Sequence, residues 1–152
     1  MIVYLVRHGE ALSAAENPER PLSQKGRQAV ERIARLALDR RVHVAGIYHS
    51  GILRAKQTAE LFAKVLSSSV RVEQHSGLLP EDDPAIVKAE LDIAQQSILL
   101  VGHLPYLNRL TSLLIHGDPD RAVVEFLPAT MVCCRRVGDR WSIDWTLPQP
   151  RI

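Results

Sequence analysis

Two periodicities alternate along the chain: short apolar runs that read as strands, and longer stretches whose apolar residues return every three or four positions. Residues 2–6, Ile-Val-Tyr-Leu-Val, form the first run and predict a strand. Ser23 can cap a helix running to about Asp39, in which Val30, Ile33, Ala34 and Ala37 share one face. A short strand at 46–49 precedes a helix over 53–66. There Ala55, Ala59, Phe62 and Leu66 point inward, while Lys56, Glu60 and Lys64 lie one turn apart outside. Residues 70–73 predict a third strand. Asp83 followed by Pro84 is an N-cap with proline at the first helical position, opening a helix to about Ala94. Residues 97–101, Ser-Ile-Leu-Leu-Val, are the most apolar strand. Gly-His-Leu-Pro leads from it into a helix with Leu107, Leu110, Thr111 and Leu114 as its buried stripe and Gly117 as its stop. The last two strands, 130–137 and 141–147, flank Gly-Asp-Arg and predict a hairpin.

This alternation implies an α/β fold in three layers, with helices on both faces of a mostly parallel central sheet and a C-terminal hairpin appended. A length of 152 residues fits one domain, 1–152. Hydrophobic residues at 46% and charged residues at 24% place the chain among globular proteins. Nineteen Lys and Arg against 17 Asp and Glu give a net charge of +2, too near balance to imply a nucleic-acid or membrane partner. No stretch approaches the roughly 18 apolar residues of a membrane helix. The amino terminus has no basic n-region and Arg7 interrupts its apolar run, so no signal peptide is expected and the cytoplasm is the default location. Cys133 and Cys134 are neighbours, which on a strand point to opposite faces. With no C-x-x-C spacing either, they read as two buried, inert thiols.

Chemistry concentrates where strands stop. In open α/β sheets, sites form beyond the carboxyl ends of the strands. "VRHG" follows the first strand, "VGH" follows the fourth, and "HSGILRA" places Arg54 in the opening turn of a helix. Arg7, His8, Arg54 and His103 are therefore expected on one edge of the sheet, an assembly that suits a dianion. Guanidinium groups are permanently charged and bind phosphate oxygens in bidentate fashion. The helix amino termini after Ser50 and His103 would add N–H groups and a favourable dipole, and Gly9 and Gly102 would permit close backbone approach. A neutral imidazole can attack phosphorus and form a phosphohistidine, and a second imidazole, if protonated, can donate to an oxygen of the transferring group.

The chain resembles the histidine phosphatase superfamily, which includes the phosphoglycerate mutases. Four blocks carry the resemblance in order: "LVRHGEA", "RPLSQKGRQA", "HSGILRAKQTAE" and "LLVGHLP". It implies a phosphoglycerate mutase-like fold and metal-independent, cofactor-free hydrolysis. His8 would be the nucleophile, with Arg7, Arg54 and His103 binding the transferring phosphoryl group. The short length and the "GHLP" ending are most similar to small bacterial phosphohistidine phosphatases, which act on phosphorelay proteins. The expected partner is thus a phosphorylated histidine-containing phosphotransfer domain. The alternatives are a small phosphorylated substrate, or a non-catalytic phosphoprotein-binding module.

Many relatives protonate the leaving oxygen with a carboxylate placed after the third strand. Here "GLLPEDDPAIV" offers Glu81, Asp82 and Asp83, with Glu81 preferred as the acid and Asp83 read as a helix cap. A phosphohistidine substrate lessens the need, because imidazole leaves more readily than an alkoxide. His49 precedes Ser50 and could support the site, with a structural role the favoured reading. His43, His75 and His116 stand at no metal-ligand spacing. The polar loop 13–21 joins the first strand to the first helix and could close over substrate or contact a partner protein, or be an ordinary mobile loop.

Overall fold

The computed structural model describes residues 1–148. In chain order its elements are β1 (Ile2–Arg7), α1 (Gln24–Asp39), β2 (Gly46–His49), α2 (Leu53–Leu66), β3 (Arg71–Gln74), α3 (Pro84–Ile93), β4 (Ile98–Gly102), α4 (Tyr106–His116), β5 (Met131–Val137) and β6 (Arg140–Leu147). The helices 24–39 and 53–66 run where the periodicity places them. The third and fourth strands each lie one residue later than their apolar runs. Their ends follow the ladder, in which Gly46 pairs with both Arg71 and Ile98 and Arg7 stands opposite Gly102. Pairing with neighbours, and not the polarity of individual side chains, sets where these strands stop.

The strands form one sheet in the order β3-β2-β4-β1-β5-β6. β3, β2, β4 and β1 are parallel, β5 runs antiparallel to β1, and β5 with β6 makes the expected hairpin. Being interior, β1 is covered on both faces. Tyr4 and Val6 enter a core with α1 and α2, while Val3 and Leu5 enter a second core with α3 and α4. Double burial explains why its sequence is continuously apolar instead of alternating. Cys133 and Cys134 follow the same parity, one in each core, both buried and free.

Helix ends follow local chemistry. Ser23 Oγ accepts from Gly26 N at 2.9 Å, and Asp83 Oδ1 accepts from Ala85 N at 3.0 Å. Gly117 closes α4 with φ of 72°, a left-handed conformation suited to glycine. α2 buries a wider face than expected, including Thr58, Leu61 and Ala63, because it packs on both the sheet and α1; Leu66 is only partly buried. Among the described residues, no helix is long and apolar enough to cross a membrane. For function, the decisive feature is the parallel register of β2, β4 and β1, which aligns their carboxyl ends on one edge.

Candidate active site

Arg7 stands opposite Gly102 and His49 opposite Val101, so His8, Ser50 and His103 follow three adjacent strands at that edge. His8 N donates to Gly102 O at 3.1 Å, which ties the two strand exits together. The His8 and His103 rings lie 5.0 Å apart between centroids, tilted by 54°. Arg54 occupies the first turn of α2, close enough that its charge, like that of Arg7, acts on both imidazoles. The fold thus gathers Arg7, His8, Arg54 and His103. It does not gather Glu81 with them: Glu81 is exposed in the turn before α3, and the side-chain charges acting on His8 are Arg54, Arg7 and Arg20.

Hydrogen bonding fixes the state of the first imidazole. His8 Nδ1 lies 2.8 Å from Gly9 O, and a carbonyl can only accept, so Nδ1 carries the proton and Nε2 keeps its lone pair. Burial, followed by Arg54, Arg7 and Arg20, lowers the His8 pKa to about 4. Burial also lowers His103 to about 3, helped by His8, Arg54 and Arg7. Both rings are therefore neutral near pH 7: His8 presents an unprotonated Nε2, and His103 is not the protonated donor expected from the sequence, because burial and the neighbouring cations disfavour its charged form.

The arginines are positioned from several directions. Arg7 N donates to Thr130 O at 3.0 Å and its Nη1 to Phe126 O at 2.8 Å, so the segment after α4 anchors both its backbone and its guanidinium. Its Nε is buried without a partner among the described residues, which leaves the Nε/Nη2 edge, the one suited to bidentate oxyanion binding, uncommitted by them. Burial lowers the Arg7 pKa, and burial with the neighbouring Arg20 lowers that of Arg54. The cations repel one another in a partly desolvated site, and an anion would relieve that repulsion.

Arg20 is the site residue that motif reasoning missed. It is half-buried with φ of 49°, a backbone conformation uncommon for arginine, and its Nε donates to Leu12 O at 3.0 Å. The bridge Ala11↔Leu22 and the bond from Leu22 N to Gln57 Oε1, 2.8 Å, hold its loop beside α2. Its signals in the sequence were its place in the polar loop 13–21 and at the head of the block "RPLSQKGRQA". Thr58 was also missed. Its Oγ1 donates to Arg54 O at 2.8 Å and accepts from Gly9 N at 3.1 Å, linking the turn that carries Arg54 to the residue after His8. Gly9 itself serves packing: a Cβ there would lie 2.7 Å from Val30 Cγ2, so α1 fills the space expected for substrate.

The surroundings favour anions. α2 and α4, which begin at the site edge, have no side-chain N-cap, whereas α1 and α3 are capped by Ser23 and Asp83. Uncapped amino termini leave N–H groups and the positive end of the helix dipole available. Among the described residues, the ion pairs are Arg71–Glu73, His75–Glu90, Lys88–Asp92 and Arg135–Asp144. None uses Arg7, Arg20 or Arg54. Three arginines without a carboxylate partner among the described residues, around a neutral imidazole, make a cationic pocket whose chemistry suits a phosphoryl group.

A family model described as histidine phosphatase superfamily (branch 1) matches residues 3–79. The chain belongs to the histidine phosphatase superfamily. It is therefore an enzyme of the phosphatase type. Among the superfamily's proteins, the phosphohistidine phosphatase SixA of Escherichia coli K12 is 31% identical over 123 residues, covering 78% of this chain and 76% of that protein. The structure of the protein histidine phosphatase SixA complexed with tungstate superposes with a TM-score of 0.83 at 27% identity, covering 96% of each chain. A phosphoglycerate mutase from Bacillus anthracis shares the fold, with a TM-score of 0.68 at 16% identity, covering 95% of this chain and 91% of that one. The three-layer architecture is thus phosphoglycerate mutase-like.

Proposed function

We propose that this chain is a metal-independent protein phosphohistidine phosphatase acting in the cytoplasm, with the whole chain serving as one catalytic domain. The observation that carries this reading is the unprotonated Nε2 of His8, its Nδ1–H held by Gly9 O, beside arginines that have no carboxylate partner among the described residues. In the first step Nε2 attacks phosphorus, the P–N bond to the substrate imidazole breaks, and that imidazole leaves with the bond's electron pair and takes a proton from solvent. Arg7, Arg54 and the N–H of His103 hold the equatorial oxygens. Water then attacks the phosphohistidine at His8, releasing phosphate and returning Nε2 to its starting state. The histidine phosphatase named among the relatives supports a phosphohistidine substrate, and a histidine-containing phosphotransfer domain is the protein that presents one.

The test is a substrate panel: a phosphorylated histidine-containing phosphotransfer domain, sugar phosphates and 3-phosphoglycerate, with phosphate release followed in the presence and absence of EDTA. Turnover of the phosphoprotein, unaffected by EDTA, is expected. Turnover confined to sugar phosphates would replace the reading with a small-molecule phosphomonoesterase. Binding without turnover would select a phosphoprotein-binding module, and activity restored by one metal after EDTA would overturn the metal-free mechanism.

A further inference from the structure

Ser50 lies in the turn between β2 and α2 and is only 5% exposed. Its hydroxyl has two partners. Oγ accepts from Ile52 N at 3.2 Å, a local turn closed by the side chain, and stands 2.7 Å from His103 Nε2. A hydroxyl has one proton to give, and leaving it without an acceptor in a buried site is costly. With the Ile52 N–H pointing at Oγ, the remaining acceptor for that proton is Nε2. His103 itself is 2% exposed, and its Nδ1 is buried with no partner among the described residues.

We propose that Ser50 is a positioning residue that fixes His103 as its Nδ1–H tautomer, giving the site a neutral N–H donor for an oxygen of the transferring phosphoryl group. This inference rests on the phosphatase reading above. The opposite tautomer would place a lone pair at Nδ1, next to anionic oxygens, and would leave the Ser50 proton without an acceptor. It would weaken phosphoryl binding and strand a buried polar group at once. The arrangement also explains why His103 can assist without being charged. The donor is built into the tautomer, so the ring does not have to acquire a proton among Arg7, Arg54 and His8. His49 plays a separate part: its Nδ1 accepts from Gly51 N at 3.0 Å and shapes the same turn without reaching the second imidazole through that bond.

The test combines a spectroscopic and a kinetic reading. In the free wild-type protein at neutral pH, nitrogen-15 NMR of the His103 ring is expected to show a protonated Nδ1 and an unprotonated Nε2. Ser50→Ala is expected to lose that preference, and its kcat toward a phosphorylated phosphotransfer domain to fall on the order of 10- to 100-fold, by analogy with the loss when a partner that orients a metal-bound imidazole is removed. Ser50→Thr, which keeps the hydroxyl, is expected to restore both the tautomer and most of the rate. A wild-type His103 protonated at Nε2 would overturn the proposal, as would an Ser50→Ala protein with unchanged tautomer or unchanged kcat. The tautomer is read on the free protein. Its failure is therefore distinct from failure of the phosphatase reading, which would show as a wild type inert toward every phosphorylated substrate.

Discussion

Acidification separates a nucleophile held neutral by its surroundings from an ordinary histidine. Burial and the charges of Arg54, Arg7 and Arg20 bring His8 from 6.5 to about 4. A lowered pKa keeps the ring unprotonated as pH falls, so the active form persists until the pH nears the folded value. At pH 5.5, a group with a pKa of about 4 is about 97% neutral, whereas one at 6.5 is about 9% neutral. Lowering the pH from 7.5 to 5.5 should therefore cost only a few per cent of the competent His8, against about tenfold for an unshifted ring. The assay is kcat/KM toward a phosphorylated histidine-containing phosphotransfer domain, corrected for uncatalysed loss of phosphate, because this parameter reports the free enzyme. Titration of the His8 ring protons by NMR removes any contribution from ionisation of the substrate. A His8 midpoint near 6.5, with a parallel tenfold loss of kcat/KM, would refute the electrostatic account of the site.

Other perturbations address individual residues. Arg54→Ala should reduce turnover on the order of 10³-fold, as for other arginines that compensate phosphoryl charge in the transition state, and a near-normal rate would remove Arg54 from the site. Arg20→Ala should raise KM about tenfold while His8 still becomes phosphorylated, as expected when one charge-assisted contact is lost at the rim; an unchanged KM would confine Arg20 to a loop-building role. Glu81→Gln should change phosphohistidine turnover by less than about threefold, given its exposure and a leaving imidazole that needs little acid help. A loss of 10²-fold or more would make Glu81 the general acid.

Much of this arrangement was legible before any coordinates. Double burial of β1 made residues 2–6 uniformly apolar, and the polar break at Arg7 marked the strand exit. Ser23, Asp83-Pro84 and Gly117 announced helix ends because their backbone and side-chain chemistry acts locally. The gathering of Arg7, His8, Arg54 and His103 followed from parallel order alone. What stayed hidden depends on contacts between distant segments. Arg20 reaches the site through a left-handed turn and a loop held by Gln57, and neither leaves a periodic signal. Phe126 supplies its carbonyl to Arg7 from a stretch without regular structure, 119 residues away in sequence. The sequence assigns Gly9 to close approach of a bound phosphoryl group, and the packing overturns that expectation. The approaching group is Val30 of α1, which only the packed structure could reveal.

The central claim concerns one nitrogen atom, and trapping the phosphorylated enzyme tests it most directly. Protein mixed with labelled phosphodonor, quenched in base and mapped by mass spectrometry should carry the label on His8. Phosphorus NMR of the digested peptide should then place it on Nε2, because Nδ1–H is bound to Gly9 O. A label on His103, on any other residue, or on Nδ1 of His8 would contradict the account, as would sustained turnover with no phosphorylated enzyme formed.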